Sequence, residues 1–271
     1  MKNNSYDTRI VNYENMQGLT NADFDMMVMA LDPQNGDTIL DVGAGYGAAT
    51  REIMKRNKDK EINYVILEKS KIQVERAKME ISKICSSDYI NKYVRFINSS
   101  LQEYHFLHSS FHKIIAKAFI HEIPEHEKEY CFRSIYEMLK TEGKFVVWNI
   151  VLDEKNKDFY RKVIRQKDKI GGFTSLVNDR HFLTEKELKD ALLAVGFNSV
   201  TEYYSFMYKN QSSTRLSEFK NDKNKLIEYN EFIKKTAYSM TSLDQEYIKL
   251  KVEGINVSFS MKQGIYIATK A

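Results

Sequence analysis

The sequence predicts an α/β fold built on a mainly parallel sheet, and three observations carry that prediction. Strand-like apolar runs alternate with helix-like segments through the middle of the chain. The first such run passes through a glycine turn straight into a helix. The only prolines are Pro33 and Pro124, so no Pro- or Gly-rich linker breaks the alternation, and no internal repeat replaces it.

The first strand covers residues 38–42, and the helix beyond its turn covers 48–54. Residues 64–67 form a second strand that runs into Glu68 and then a charged helix from Lys71 to about Ile84. A third strand covers 93–97, and a fourth the short apolar run 114–116. Pro124 suits the first turn of a helix that carries Tyr130, Ile135, Met138 and Leu139 at helical spacing. Gly143 precedes a fifth strand at 144–150. Thr184 and Glu187 have the form of a capping box, and their helix passes through Leu188, Leu192 and Leu193 to stop at Gly196. Strands at 200–208 and 264–268 flank a polar, helix-prone insertion of roughly residues 214–250. The organisation expected is a helical cap segment at 1–31, an α/β core at 32–208, a helical insertion at 209–250 and a closing strand within 251–271. Cap and insertion are left over once the sheet is built, and such extras often cover a site at the strand C-terminal ends.

Composition narrows the function classes. At 271 residues, 42% hydrophobic and 29% charged, the chain has the balance of a soluble globular protein with room for a large core. A net charge of +4 spread along the chain argues only weakly for a polyanion partner. Two cysteines, Cys85 and Cys131, fit a reducing compartment and cannot make a four-ligand zinc site alone. No apolar run approaches the ~20 residues of a membrane helix, and the opening residues are polar, so a cytoplasmic location is expected.

Residues 40–47 read Leu-Asp-Val-Gly-Ala-Gly-Tyr-Gly. Glycines at alternating positions let a strand turn tightly into a helix while a ligand approaches the backbone. A dinucleotide turn reads G-x-G-x-x-G, whereas here the spacing is G-x-G-x-G with Asp41 two residues ahead. A buried carboxylate there would repel a pyrophosphate but suits a cationic ammonium group. Glu68 ends the second strand, about where an acid grips a ribose diol in such folds. Together these point to a nucleoside bearing an amino-acid-like cation, a description that S-adenosylmethionine fits.

In these residues the chain resembles the class I S-adenosylmethionine-dependent methyltransferases of small-molecule type. The resemblance spans about residues 37–208, with further support from 139–145 and from the stretch 182–197. It implies a Rossmann-like sheet, mainly parallel with an antiparallel last strand, plus helical cap elements, and S-adenosyl-L-methionine as cofactor. Carried over, Gly43, Ala44, Gly45 and Gly47 form the cofactor turn, with Asp41 near the amino group, Glu68 at the ribose, and Lys69 and Lys117 among the cofactor-binding residues. Ser100 and Leu101 fall at the adenine, where Ser100 replaces the family's usual Asp. An aromatic of the leading segment contacts the methionine portion in related enzymes; Tyr13, then Tyr6, is the candidate, the alternative being a hydrophobic staple onto the sheet.

The fourth strand of this family delivers residues to the reacting centre, here Ile114 to Pro124. It holds no N/D-P-P-Y/F/W sequence, which disfavours adenine or glutamine amino groups as acceptors. Lys117 stands near the place where magnesium-dependent relatives have an acid, and a cation there opposes a divalent metal. No metal is expected, and the other histidines form no ligand pair. His121 is the catalytic candidate, able to take a proton from a hydroxyl, phenol or amine; capping the next helix or touching the cofactor is its alternative. Tyr203, Tyr204, Phe206, Met207, Tyr208, Tyr229, Phe232, Tyr238 and Met240 could line an acceptor pocket or simply form core. The cluster Lys209, Arg215, Lys220, Lys223 and Lys225, interrupted by Glu218 and Asp222, reads as a solvated helix. The expectation is a metal-independent methyltransferase acting on O or N, less on C, of a small molecule, with no membrane partner and its oligomeric state open, a homodimer being one option. RNA or protein methylation, or cofactor binding without transfer, are the alternatives.

Overall fold

Five strands of the computed structural model, which describes residues 18–271, run parallel. They are β1 (Thr38–Val42), β2 (Asn63–Glu68), β3 (Val94–Asn98), β4 (Phe111–Lys117) and β5 (Leu139–Ile150). Their near-continuous apolar runs suit strands covered on both faces. Ile39, Ile115, Val146 and Trp148 pack on one face, and Leu40, Ile114, Phe145 and Val147 on the other, the period of two a strand imposes. Two further long strands, β6 (Ser199–Gln211) and β8 (Asn256–Thr269), complete the sheet, and short β7 (Lys251–Glu253) pairs with the start of β8. The order is β3-β2-β1-β4-β5-β8-β6, with β8 antiparallel to both of its neighbours. The fold class and the antiparallel last strand are therefore as expected.

On one face lie α1 (Asn21–Leu31), α2 (Ala48–Arg56) and α3 (Lys71–Ser82). Thr20 and Asp23 close a capping box on α1, whose Phe24 meets Trp148 edge-on at 5.2 Å. The helical part of the expected cap segment thus packs on β5. On the other face lie α5 (Lys128–Met138) and α8 (Glu185–Ala194), the latter opened by the foreseen capping box of Thr184 and Glu187.

Three helices went unforeseen: α4 (Ser87–Tyr93), α6 (Lys157–Gly171) and α7 (Thr174–Asp179). The last strand also begins well before Gly264, and β6 continues past Tyr208 to Gln211. Beyond Gln263, where β5 ends its pairing, β8 continues against β6 through Gln211↔Ser258. The insertion accordingly starts at Ser212, rising from these extensions as α9 (Lys223–Tyr238) and α10 (Ser242–Tyr247). A third core of Tyr160, Val163, Phe219, Tyr229, Ile233 and Phe259 joins it to α6 and β8.

Candidate active site

β1 ends beside β2, where the amides of Gly43 and Ala44 donate to Leu67 O at 2.9 and 3.1 Å. Gly43, Gly45 and Gly47 take φ of +64, +55 and +76, left-handed values that glycine alone adopts without strain. At Gly43 a second constraint applies: a Cβ there would lie 2.0 Å from Cδ2 of Phe119, whose ring rests on the turn. Above Gly45 the space is open.

Two carboxylates brace this turn. Glu68 accepts the Gly45 amide on Oε2 at 2.9 Å and the Ser70 amide on Oε1 at 2.8 Å. Burial nevertheless moves its carboxyl upward. Asp41, 2% exposed, accepts from the Thr50 hydroxyl and amide on Oδ2 at 2.7 and 3.2 Å. Its Oδ1 is buried without a hydrogen-bond partner among the described residues, and burial pushes the carboxyl up to about 6. An orphaned anionic oxygen beside an open glycine cradle fits the ammonium group of S-adenosylmethionine.

From this turn a cavity of about 660 Å³ follows the C-terminal strand ends past β4 and β5 to β6. Of the residues the sequence singled out, Asp41, Gly43, Ala44, Gly45, Glu68, Lys69, Ser100, Leu101, Lys117 and His121 border it. Gly47 does not; it opens α2 and packs against Ala77, so its task is in the turn. Tyr13 lies outside the described residues. Ser100 donates to Glu103 Oε2 at 2.9 Å, and both residues border the cavity. Of the aromatic and methionine residues singled out for an acceptor pocket, Tyr208 on β6 and Tyr229 on α9 border the cavity, whereas Tyr203, Met207 and Tyr238 are exposed.

His121 sits in a single 3₁₀ turn after β4, stacked on Phe182 at 4.5 Å. Its Nδ1 is 2.7 Å from Asn149 Oδ1, and because Asn149 Nδ2 donates to Ile150 O, the amide oxygen faces the ring. Its Nε2 is 3.2 Å from Glu122 Oε1. Lys128, buried, donates to Ile120 O and Ile123 O at 2.6 Å each, and burial lowers its ammonium to about 8. The turn is thus clamped on both sides of His121.

Glu122 starts a buried ladder of charge that sequence reasoning missed. Arg180 Nη2 donates to Glu122 Oε1 at 2.5 Å, and Nη1 reaches both oxygens of Asp168 at 3.0 and 3.1 Å. Lys167 bridges Asp168 and Glu218 at 2.8 and 2.7 Å, and Glu218 meets Arg215 at 2.9 Å. Burial alone would raise the Glu122 carboxyl, but Arg180 and His121 outweigh it and hold it well below the usual range. Arg215 and Glu218 are therefore buried partners, which corrects the reading of their segment as a solvated helix. Their spacing of three along the chain was the visible signal. Among the described residues no group of three or more His, Cys, Asp or Glu is placed to hold a metal ion.

A glycine turn with two braced acids, in a mainly parallel sheet closed by an antiparallel strand, agrees with the fold of the class I S-adenosylmethionine-dependent methyltransferases. Residues 39–143 match the family described as a methyltransferase domain, a match that supports a class I S-adenosylmethionine-dependent methyltransferase. It is 30% identical over 133 residues to sterol 24-C-methyltransferase ERG6 of Saccharomyces cerevisiae, a stretch covering 48% of this chain and 32% of the yeast protein. The chain thus spans about a third of that curated relative's length. A Bacillus halodurans C-125 protein proposed to be a methyltransferase superposes with a TM-score of 0.75 at 16% identity, over 92% of this chain and 99% of that one. Phosphoethanolamine N-methyltransferase 2 of Haemonchus contortus, solved with phosphomonomethylethanolamine and S-adenosylhomocysteine, has a TM-score of 0.57 at 17% identity, over 97% of this chain and 57% of that one. Among the described residues no helix is long and apolar enough to cross a membrane.

Proposed function

We propose that the protein moves a methyl group from S-adenosylmethionine to an oxygen or nitrogen, in preference to a carbon, of a small-molecule acceptor, without a metal ion. One observation carries the reading: a single cavity joins the Asp41–Glu68 turn, His121 and the insertion residues Arg215 and Tyr229. Bound at the turn, the cofactor supplies an electrophilic methyl on a sulfonium. Asp41 takes the ammonium, Glu68 the ribose, and Leu101 with Glu103 the adenine side. The insertion and Phe182 exclude water and hold the acceptor in line, from which much of the rate derives. With Nδ1 of His121 donating to Asn149 Oδ1, Nε2 of the neutral ring is the atom that receives the acceptor's proton, and Glu122, 3.2 Å from it, stabilises the imidazolium that forms. The unpaired thiols Cys85 and Cys131 fit a cytoplasmic setting.

Incubating the protein with methyl-labelled cofactor and cell extract tests this. Label in the low-molecular-weight fraction, with release of S-adenosylhomocysteine, is expected. Label confined to RNA or protein favours a macromolecular acceptor, and cofactor binding without any label refutes the transfer.

A further inference from the structure

We propose that the acceptor carries an oxyanion, a carboxylate or a phosphate, on an aromatic or apolar body, and that Arg215 and Lys167 receive that oxyanion at the β6 end of the cavity. The inference rests on the methyl-transfer reading and names the acceptor's class. Lys167, Arg180 and Arg215 border the cavity, while Asp168 and Glu218, which neutralise them, do not. Those two carboxylates are 1% and 0% exposed, one layer behind the cations. The wall facing the acceptor is cationic, and its counter-charge is set back in the protein.

That layering has two physical effects. Asp168 and Glu218 keep the buried cations ionised and fixed in place, so a ligand anion meets oriented donors and does not reorganise them. The guanidinium plane also presents its N–H groups in a fork that matches a carboxylate or phosphate. Tyr208 and Tyr229 border the same end; burial raises both phenols, so they stay neutral and able to donate. Ile164 and Met261 supply the apolar surface. Two wall carboxylates stand on this side of the cavity: Glu122, engaged by Arg180 and His121, and the exposed Asp179. An acceptor anchored at Arg215 and Lys167 extends its nucleophile toward His121. A cationic acceptor would oppose the wall.

Calorimetry on the full chain saturated with S-adenosylhomocysteine tests this with four probes: benzoate, phenyl phosphate, benzamide and benzylamine. At least one anion is expected to bind at least tenfold tighter than benzamide, with affinity falling as salt rises, and the better of the two identifies the oxyanion. Arg215→Met is expected to abolish that preference while S-adenosylhomocysteine affinity stays within twofold. Since Arg215→Met strands Glu218 as a buried charge, the Arg215→Met/Glu218→Gln double variant is measured beside it, and Arg215→Lys should retain part of the preference. Benzamide or benzylamine binding as tightly as both anions, neither anion binding, or a preference that survives in the double variant overturns the proposal. Failure of S-adenosylhomocysteine itself to bind is a separate readout that sinks the underlying methyl-transfer reading.

Discussion

Replacing Asp41 with Asn converts the buried acid into a measurable link between pH and cofactor grip. Raising this carboxyl from 3.8 to about 6 means that the fold disfavours the anion by about 3 kcal/mol. A ligand ammonium that docks on Oδ1 binds the anion, so the apparent Kd scales as 1 + 10^(pKa − pH). Between pH 7.5 and pH 5 that is about a tenfold weakening, or about 1.4 kcal/mol. Asp41→Asn should weaken binding at pH 7.5 by about 30-fold or more, corresponding to loss of at least ~2 kcal/mol of buried charge pairing, and should flatten the pH dependence. The assay is calorimetric titration of S-adenosylhomocysteine across pH, with methylthioadenosine, which lacks the amino-acid moiety, as control. The variant also has a stability signature of definite sign. The folded-state value lies above the unfolded one, so the anion's cost is absent below pH 3.8 and grows as pH rises through about 6. Without ligand, Asp41→Asn should therefore be more stable than wild type at pH 7.5, by up to about 3 kcal/mol, with no such gain at pH 3.5. A Kd independent of pH in the wild type, or an equal slope with methylthioadenosine, would refute the ammonium assignment.

Gly43→Ala places a methyl group 2.0 Å from the Phe119 ring at a left-handed φ; a loss of about 1–2 kcal/mol from the backbone alone and at least tenfold weaker cofactor binding are expected, and unchanged values by thermal melt and calorimetry would contradict the turn's role. Lys128→Met leaves the Ile120 and Ile123 carbonyls without their donor, costing about 1–3 kcal/mol in denaturant melts and lowering turnover more than cofactor affinity. Because burial lowers the Lys128 ammonium to about 8 in the fold, wild-type stability should rise relative to that variant above pH 8, levelling off near the unfolded value of 10.5. His121→Ala should cut turnover by about 10²–10⁴; full turnover in the variant would eliminate the base role.

Local signals carried most of the half proposed to hold the cofactor. Asp41, the glycine turn and Glu68 lie within one strand–helix–strand unit, so their chemistry could be read from spacing alone. Helix α6 was equally visible in principle, since Phe159, Tyr160, Val163 and Ile164 recur at helical spacing and all are buried. The acceptor half was not legible in the same way. Arg180 meets Glu122 across 58 residues and Lys167 meets Glu218 across 51, so each looks like ordinary surface charge until the chain is folded. Adjacent His121 and Glu122, which a continued strand would point to opposite faces, are brought together because a 3₁₀ turn follows β4 there.

The outward reach of β6 and β8 past the end of β5 has a mechanical consequence. The insertion is cantilevered from two strands laddered to each other from Ser199↔Thr269 to Gln211↔Ser258, continuous with the sheet that carries the His121 turn. A roof mounted in that way resists swinging as a flap. On the proposed reading, changes of acceptor preference can therefore accumulate by sequence drift within residues 212–250 while the glycine turn, anchored on β1 and β2 on the other side of β5 in the sheet, is left intact.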